Sequence, residues 1–377
     1  MKITFVMAGG FNLSGGDRVI SHYAKRLYER GHEVQVVSRP NRQPSLRDRL
    51  RSLIKDGAWI SVPKKEPSHF DNVNFPCRLI DRWRPIEDAD VPDGDVVIAT
   101  WWETAEWVAN FSKAKGAKVY YIQHHEVFDY LPKEKVAATY RLPMHKITVA
   151  QWLVDVMRTR YGDRNVSLVP PSVDTQQFYA PPRDKQSIPT VGLIYSGLPW
   201  KGSDISLKAF SLAKKEVPNL RLVAVGTGAN RTMPPELEQY PDLEFVFPPS
   251  NTLKDCYSQC DAWLFGSRSE GYGLPILEAM ACRTPVIGTP AGAAPELLAN
   301  GAGMLVNPED PEDMARAIVR MCKLSNPEWR TMSDAAYAKV RNYTWDDAFE
   351  RFEAALMTAV ERSKSDEFVS SPRLKAA

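Results

Sequence analysis

Two glutamates, Glu270 and Glu278, lie at the ends of the segment EGYGLPILE, in which a Gly-x-Gly turn runs through Pro275 into an apolar stretch. Proline suits the first turn of a helix because its missing NH would be unpaired there. The backbone NH groups around Gly273 would then point away from a helix start, where the helix dipole favours an anion. The glycines allow a ligand to approach the backbone closely. The segment is therefore typical of a turn that binds phosphate.

The two glutamates are unsuited to contact a phosphate, because like charges in contact repel. A carboxylate accepts hydrogen bonds from hydroxyls, and each charge-assisted bond of this kind contributes ~1.5–3 kcal/mol. Sugars and ribose supply pairs of such hydroxyls. We therefore expect Glu278 to hold a ribose on one side of the phosphates and Glu270 to hold a hexose on the other. The alternative is that Glu278 only complements the helix dipole and that Glu270 is a surface residue.

Short β-branched segments alternate with helical patterns along the chain, which favours parallel α/β sheets. The first series of predicted strands is KITFVMA, EVQVVS, VVIAT, VYYIQ and ITVA, and the second is TVGLIYSG, RLVAVG, LEFVF, AWLFGS and PVIGT. Apolar spacing predicts helices over residues 19–27, 204–217, 275–282 and 311–324. Ligands of such sheets bind beyond the carboxyl ends of the strands, where the loops that could carry chemistry lie.

The two series of strands predict two doubly wound domains, residues 1–173 and 174–343. Between them lies the proline-rich passage VSLVPPSVDTQQFYAPPRDKQSIP, which has the composition of a linker. A last helical stretch at about 344–362 is expected to pack back on the first domain. Residues 363–377 show no periodicity and are predicted to form a disordered tail.

Composition bears on location and partners. The chain has 48 basic and 46 acidic residues, so a general attraction to nucleic acid is not indicated. The first residues, MKITFVMAGG, lack the pattern of a signal peptide, and no stretch approaches the ~18 apolar residues of a membrane span. The 5 cysteines include no CxxC pair and suit a reducing compartment. We therefore expect a cytoplasmic protein.

The segment SRSEGYGLPILEAMACRTPVIGTPAGAAPELL, followed by GMLVNPEDPEDMARAI, resembles the signature region of glycosyltransferase family four. The similarity extends to SGGDRVISHYAKRLYERGHEVQVV, ITVAQWLVDVM, VSLVPPSVDTQQF and YSGLPWKGSDISLKAF, in the order expected for the family. It implies the GT-B fold, with two Rossmann-like domains that face each other across a cleft. It also implies a retaining enzyme without a metal or other cofactor, whose second domain binds a nucleoside diphosphate sugar and whose first domain binds the acceptor.

The resemblance implies roles for residues of the second domain. In the family's motif the first glutamate contacts the transferred sugar, and the second binds the ribose. The first corresponds to Glu270 in this sequence and the second to Glu278. Lys201 in PWKG matches a lysine that neutralises the departing diphosphate, and a fixed cation at that place stabilises the transition state. The backbone amides that bind the diphosphate would belong to Gly271, Tyr272, Gly273 and Leu274.

One cation of the family's pattern is missing from this sequence. Family members usually have an arginine shortly before the lysine, and here that region reads YSGL at residues 195–198. We hypothesise that Arg231 in GTGANR or Arg268 in SRSEG supplies the second positive charge.

The first domain contributes two features to the predicted site. Gly15 and Gly16 form a pair at a helix start, placed to approach the phosphates or the acceptor. Family members often have a histidine near the reacting carbon after the strand that matches VYYIQ. At that point this sequence reads Gln123-His124-His125, and the register leaves open which side chain takes the place.

Residues 39–57, RPNRQPSLRDRLRSLIKDG, form a basic amphipathic pattern. One helical face carries Leu46, Leu50, Leu53 and Ile54, and the remainder carries Arg47, Arg49, Arg51 and Lys55. The pattern suits peripheral contact with anionic lipid at the inner membrane face, or contact with an acidic acceptor. The alternative is a loop helix that packs on its own domain.

The sequence thus predicts a glycosyltransferase that moves a hexose or deoxyhexose to a glycan or lipid-linked acceptor in polysaccharide or surface-glycan biosynthesis. Two alternatives stay open. The first is an epimerase or phosphorylase of the same fold, and the second is a non-catalytic protein that binds a nucleotide sugar. The products distinguish them, because an epimerase needs no acceptor and a phosphorylase consumes inorganic phosphate.

Overall fold

A computed structural model of the protein describes residues 1–56, 67–226, 232–249 and 251–365. The chain divides into two compact units. The first comprises Met1–Val149, Leu153–Val169 and the chain from Phe349 onward, and the second comprises Ala150–Trp152 and Pro170–Ala348. Each unit contains one sheet, and every strand pairing described in both sheets is parallel.

The sheet of the first unit has seven strands in the order β3-β2-β1-β4-β5-β6-β7. In chain order the elements are β1 (Lys2–Met7), α1 (Gly15–Glu29), β2 (Glu33–Ser38), α2 (Leu46–Asp56), β3 (Cys77–Leu79), β4 (Val96–Ala99), α3 (Trp102–Ala109), β5 (Ala117–Ile122), α4 (Lys133–Thr139), β6 (His145–Thr148), α5 (Gln151–Tyr161) and β7 (Val166–Leu168). The central strand β1 is buried from its second residue onward. This burial on both faces is why the central strands read as continuous apolar runs.

The sheet of the second unit has six strands in the order β10-β9-β8-β11-β12-β13. The elements from residue 190 onward are β8 (Thr190–Tyr195), α6 (Ser203–Lys214), β9 (Arg221–Gly226), β10 (Leu243–Val246), α7 (Leu253–Ser258), β11 (Ala262–Phe265), α8 (Leu274–Ala281), β12 (Val286–Gly288), α9 (Ala294–Leu297), β13 (Gly303–Leu305), α10 (Pro311–Lys323), α11 (Asn326–Arg341) and α12 (Trp345–Lys364). In both sheets the strand order reverses beside the first strand, which defines the doubly wound, Rossmann-like topology. The predicted fold class is confirmed.

All ten predicted strands are present, and the predicted helices are confirmed with small shifts of their ends. The sequence analysis missed three strands, β3, β7 and β13, which are three-residue strands at the edges of the sheets. The linker prediction is wrong at its start, because β7 lies within that passage and pairs with β6.

The last helix, α12, packs on the first unit through the buried ring of Phe352. This ring stacks on Tyr23 of α1 with centroids 4.1 Å apart and meets Tyr121 of β5 edge-on at 5.4 Å. The stretch predicted as a tail begins inside α12, and residues 366–377 lie outside the described part of the chain. In the described residues, no helix combines the length and apolarity needed to cross a membrane.

Candidate functional site

The main group of predicted site residues lies at the carboxyl ends of β8 and β11 in the second unit. These two strands are direct neighbours, paired in parallel. Their following loops therefore emerge at the same edge of the sheet, where open α/β sheets bind ligands. The loop after β8 carries Lys201 in a 3₁₀ turn, Pro199–Lys201, and the loop after β11 carries Glu270.

The two loops pack backbone against backbone at a pair of glycines. Gly202 has a φ of 60°, and a Cβ on it would lie 1.8 Å from the carbonyl oxygen of Gly266. A Cβ on Gly266 would lie 2.5 Å from the carbonyl oxygen of Gly202. Beside this contact, the NH of Arg268 donates to the carbonyl of Trp200 at 2.8 Å. The absence of side chains on both glycines is what allows Lys201 to lie beside Glu270.

Lys201 and Glu270 form a direct ion pair. Lys201 Nζ lies 2.8 Å from Glu270 Oε1, and the hydroxyl of Ser267 donates to the same oxygen at 2.9 Å. The Lys201 side chain is 36% exposed and that of Glu270 is 12% exposed. Glu270 is therefore not the surface residue of the alternative interpretation. The pair presents an accessible cation next to a carboxylate whose orientation is fixed by two donors.

The turn that follows Glu270 leads directly into helix α8. Gly273 is the N-cap residue with a φ of 107°, a conformation that favours glycine. A second glycine, Gly292, packs on the turn, since a Cβ there would lie 2.6 Å from the carbonyl oxygen of Tyr272. The same carbonyl accepts a hydrogen bond from the NH of Ala293 at 2.8 Å. The carbonyl of the turn is thus engaged, and α8 begins at Leu274 with the positive end of its dipole at the turn.

Glu278 is buried one turn into α8. Its Oε2 accepts a hydrogen bond of 2.6 Å from the hydroxyl of Tyr257, a fully buried residue of α7. The ring of Tyr257 packs on Trp263 with centroids 4.2 Å apart. A buried carboxylate held by a phenol is not a surface group that only complements a helix dipole. The sequence analysis missed Tyr257, because nothing in its spacing from Glu278 distinguishes it from a core aromatic residue.

Arg268, one of the two candidates for the second cation, is engaged by two carboxylates. Its guanidinium donates to Asp204 at 2.8 and 2.7 Å and to Glu309 at 2.9 Å. Hydrogen bonds to these two carboxylates raise the pKa of Arg268, and their charges offset its own. The other candidate, Arg231, lies outside the described residues.

In the first unit, the predicted glycines lie at the start of α1. Ser14 caps this helix by accepting a hydrogen bond of 3.1 Å from the NH of Asp17. Gln123, which follows β5, donates to the carbonyl of Gly16 at 3.4 Å. The helix therefore begins at Gly15, as predicted, and Gln123 of the QHH segment contacts Gly16.

The two predicted histidines have different surroundings. His125 Nε2 lies 2.7 Å from the hydroxyl of Tyr161, and its ring packs on Tyr140 with centroids 5.3 Å apart. Burial, together with the nearby charge of Arg160, lowers the pKa of His125 to about 4. His125 is therefore neutral near pH 7 and belongs to an aromatic cluster. The ring of His124 instead contacts Phe128, with centroids 4.9 Å apart.

A buried carboxyl group, Glu126, anchors the segment that carries the histidines. Its Oε2 accepts a hydrogen bond of 2.9 Å from the NH of Trp102 and one of 3.5 Å from the hydroxyl of Tyr120. Its own NH donates to the hydroxyl of Tyr140 at 2.8 Å. Burial raises the pKa of Glu126 well above its usual value.

Glu126→Gln is expected to make the protein more stable than wild type at pH 8 but not at pH 5. Because the folded-state pKa is raised, the contribution of Glu126 to stability is full below its unfolded pKa of ~4.3 and declines as pH rises. Glutamine keeps an acceptor for Trp102 and does not titrate. The difference in free energy of unfolding should grow by at most ~1.4 kcal/mol per pH unit. Urea unfolding at several pH values measures it.

The matched control for this prediction is Glu361→Gln at an exposed position of α12. Its free energy of unfolding should stay within ~0.5 kcal/mol of wild type, as is usual for substitutions at exposed positions. A difference between Glu126→Gln and wild type that stays constant from pH 5 to pH 8 would contradict the prediction.

Two family models match the chain, and between them they cover most of it. The model described as Glycosyltransferase Family 4 matches residues 13–177, and the model described as Glycosyl transferases group 1 matches residues 185–323. The first model matches most of the first doubly wound unit, and the second model matches residues of the second unit. The architecture is that of the GT-B glycosyltransferases, and the chain belongs to glycosyltransferase family 4.

Curated relatives share moderate sequence identity with the chain. A D-inositol 3-phosphate glycosyltransferase of Geodermatophilus obscurus is 26% identical over 405 residues, covering 94% of this chain and 86% of the relative. One of Acidothermus cellulolyticus is 32% identical over 242 residues, covering 57% of this chain and 52% of the relative. The match to the relatives from Mycobacterium leprae likewise spans 52% of their length, about half of each protein.

Solved structures show the same fold at low sequence identity. Anabaena HepE in complex with UDP has a TM-score of 0.74 and 18% identity, with 95% of this chain and all 100% of that chain covered. WaaG, a glycosyltransferase involved in lipopolysaccharide biosynthesis, has a TM-score of 0.66 and 14% identity, with 94% and 99% covered.

Proposed function

We propose that the protein is a retaining glycosyltransferase that transfers a hexose or deoxyhexose from a nucleoside diphosphate sugar to a glycan or lipid-linked acceptor. The observation that carries this proposal is the Lys201–Glu270 ion pair beside the glycine turn at the start of α8. It combines a cation, a helix N-terminus and a carboxylate within one small region. These are the groups that a sugar diphosphate requires.

Each group has a role that follows from its charge and position. As the bond from the sugar C1 to the phosphate oxygen breaks, negative charge grows on the diphosphate, and Lys201 with the amides of residues 271–274 stabilises it. Glu270, held by Ser267, accepts hydrogen bonds from hydroxyls of the transferred sugar. The acceptor oxygen bonds to C1, and its proton passes to the leaving phosphate. The reaction as proposed needs no metal.

Glu278 is proposed to hold the ribose of the donor. One of its oxygens accepts from Tyr257, which fixes the rotamer of the carboxylate inside the unit. The comparisons support a nucleotide donor, since HepE has been solved with UDP, UDP and glucose, and UDP-glucose, and the curated relatives bear the name of glycosyltransferases. These similarities support a nucleoside diphosphate sugar as the donor of this chain.

A melting-temperature panel tests the donor assignment. Purified protein is heated with UDP, GDP, dTDP and ADP, and with their hexose derivatives. A ligand at ~100 times its Kd adds ~2.7 kcal/mol of stability, which raises the melting temperature by several degrees. Glu278→Ala should lose most of the nucleotide-induced shift, because it removes the ribose contact. The absence of a shift with every nucleotide and every sugar nucleotide would overturn the assignment.

A product analysis then separates transfer from the alternatives. With the active donor and a mixture of candidate acceptors, mass spectrometry should show an acceptor heavier by one sugar residue, together with the free nucleoside diphosphate. An epimerised donor formed without acceptor, or a sugar phosphate formed only when inorganic phosphate is present, would contradict the proposed transfer.

A further inference from the structure

Helix α2 of the first unit presents large apolar side chains to solvent. Leu50 is 52% exposed, Leu53 44% and Ile54 85%. These positions are spaced by three and four residues, so they share one face of the helix. Single exposed apolar residues are common on protein surfaces, but contiguous ones usually mark an interaction site. We call this face, with the exposed side chains of Arg47 and Arg51, the α2 surface.

The α2 surface lies in the most basic part of an otherwise balanced chain. Residues 39–56 contain 5 arginines and 1 lysine against 2 aspartates, whereas the whole chain has a formal net charge of +2. Arg47 and Arg51 are exposed and flank the apolar residues. A partner for this surface must therefore accept apolar side chains and carry negative charge.

An exposed tryptophan lies close to the segment that leads into α2. Trp83 follows β3 and is 49% exposed. The guanidinium carbon of Arg42 lies 5.4 Å from its ring centroid, and that of Arg39 lies 4.7 Å from it. Arg39 is buried and pairs with Glu103 at 2.9 Å. The indole of Trp83 therefore packs on a guanidinium whose position is fixed. Tryptophan concentrates at the headgroup level of membranes because it combines an apolar ring with a polar NH.

We propose that the α2 surface and Trp83 form a peripheral membrane-binding site for anionic phospholipid. In this arrangement α2 lies in the plane of the interface with Leu50, Leu53 and Ile54 among the upper acyl chains. The arginines remain at the phosphate level. A fluid lipid surface suits apolar side chains that protrude together from one helix face, because it needs no complementary pocket. The inference concerns the first unit and does not depend on the donor site.

Vesicle co-sedimentation tests the proposal with the full chain. The protein is mixed with sucrose-loaded vesicles of phosphatidylcholine alone or with 30 mol% phosphatidylglycerol, in ~0.1 M and in ~0.5 M salt. Wild type should sediment with the anionic vesicles in low salt and remain in solution with the neutral ones. Binding should weaken in high salt, where charges are screened over a few ångströms.

Two double variants separate the apolar and the electrostatic contributions. Leu53→Gln/Ile54→Gln should weaken partitioning tenfold or more, because the apolar side chains that enter the lipid are lost. Arg47→Gln/Arg51→Gln should weaken binding to the anionic vesicles roughly fivefold for each arginine, or about 1 kcal/mol each. Matched controls lie elsewhere on the surface. They are Met357→Gln, which removes a residue 49% exposed on α12, and Arg158→Gln/Arg320→Gln, which removes two exposed arginines.

Wild type that stays in solution with anionic vesicles in low salt would exclude a lipid partner. Binding that survives Leu53→Gln/Ile54→Gln but is lost in high salt would indicate charge attraction alone and contradict insertion. The same weakening in the control variants would show that the effect is not specific to α2. All variants should keep the wild-type nucleotide-induced melting shift, so this experiment fails or succeeds separately from the proposed donor site.

Discussion

Replacing Lys201 by methionine is expected to lower the turnover number by roughly 10²–10³-fold. Methionine keeps most of the length of the side chain but removes the charge that lies 2.8 Å from Glu270 Oε1. If Lys201 stabilises the departing diphosphate, the loss affects the transition state more than the bound donor. Steady-state transfer assays with the donor found in the melting panel measure the turnover number, and calorimetry measures donor affinity.

The matched control is Lys208→Met on α6, a lysine with a side chain 62% exposed that pairs with Glu312. It should retain wild-type turnover. Lys201→Arg should recover part of the activity, since it keeps a cation in the turn. Turnover by Lys201→Met within a factor of three of wild type would refute the proposed role of the lysine.

Replacing Glu270 by glutamine is expected to abolish the preference of the protein for the sugar nucleotide over the free nucleoside diphosphate. The carboxylate contributes charge-assisted hydrogen bonds to sugar hydroxyls, so the affinity for the sugar nucleotide should fall by roughly 10- to 150-fold, or ~1.5–3 kcal/mol. Affinity for the free diphosphate should not fall, because glutamine removes a negative charge beside Lys201. Glutamine can still accept from Ser267 and fits the same space, so the backbone of the turn stays in place.

Calorimetric titrations of both ligands into Glu270→Gln and wild type measure the two affinities. Glu312→Gln, an exposed carboxylate of α10, is the control and should leave both unchanged. An unchanged ratio of the two affinities in Glu270→Gln would show that this glutamate does not contact the sugar.

Strands β5, β8 and β11, whose following loops carry the predicted site residues, could be predicted from the sequence. Each is largely buried on both faces and therefore forms a continuous apolar run. Helix α11 was not predicted, although the sequence carries a signal for its start. It begins with a capping box in which Ser325 accepts from the NH of Glu328 and Glu328 accepts from the NH of Ser325, a pattern written in the residues SNPE. Strands β3, β7 and β13 offered no apolar run, because each is a short strand at the edge of its sheet and most of its residues are not buried.

The composition of the site was only partly predictable. Lys201 and Glu270 lie 69 positions apart, and their contact depends on the close approach of Gly202 and Gly266, which only the tertiary arrangement reveals. The role of Lys201 came from the family resemblance, whereas the sugar-binding role of Glu270 was argued from carboxylate chemistry beside a phosphate turn and agrees with the resemblance. The ion pairs of Arg268 were equally unpredictable, since Asp204 and Glu309 reach it from two other elements.

A crystal structure of the protein with a bound nucleoside diphosphate would test the proposed donor site most directly. We expect the diphosphate at the start of α8, with its oxygens within hydrogen-bond distance of backbone NH groups in residues 271–274 and of Lys201 Nζ. The ribose hydroxyls should donate to the carboxylate of Glu278. A nucleotide bound elsewhere in the chain, with this turn and Lys201 untouched, would contradict the proposed function.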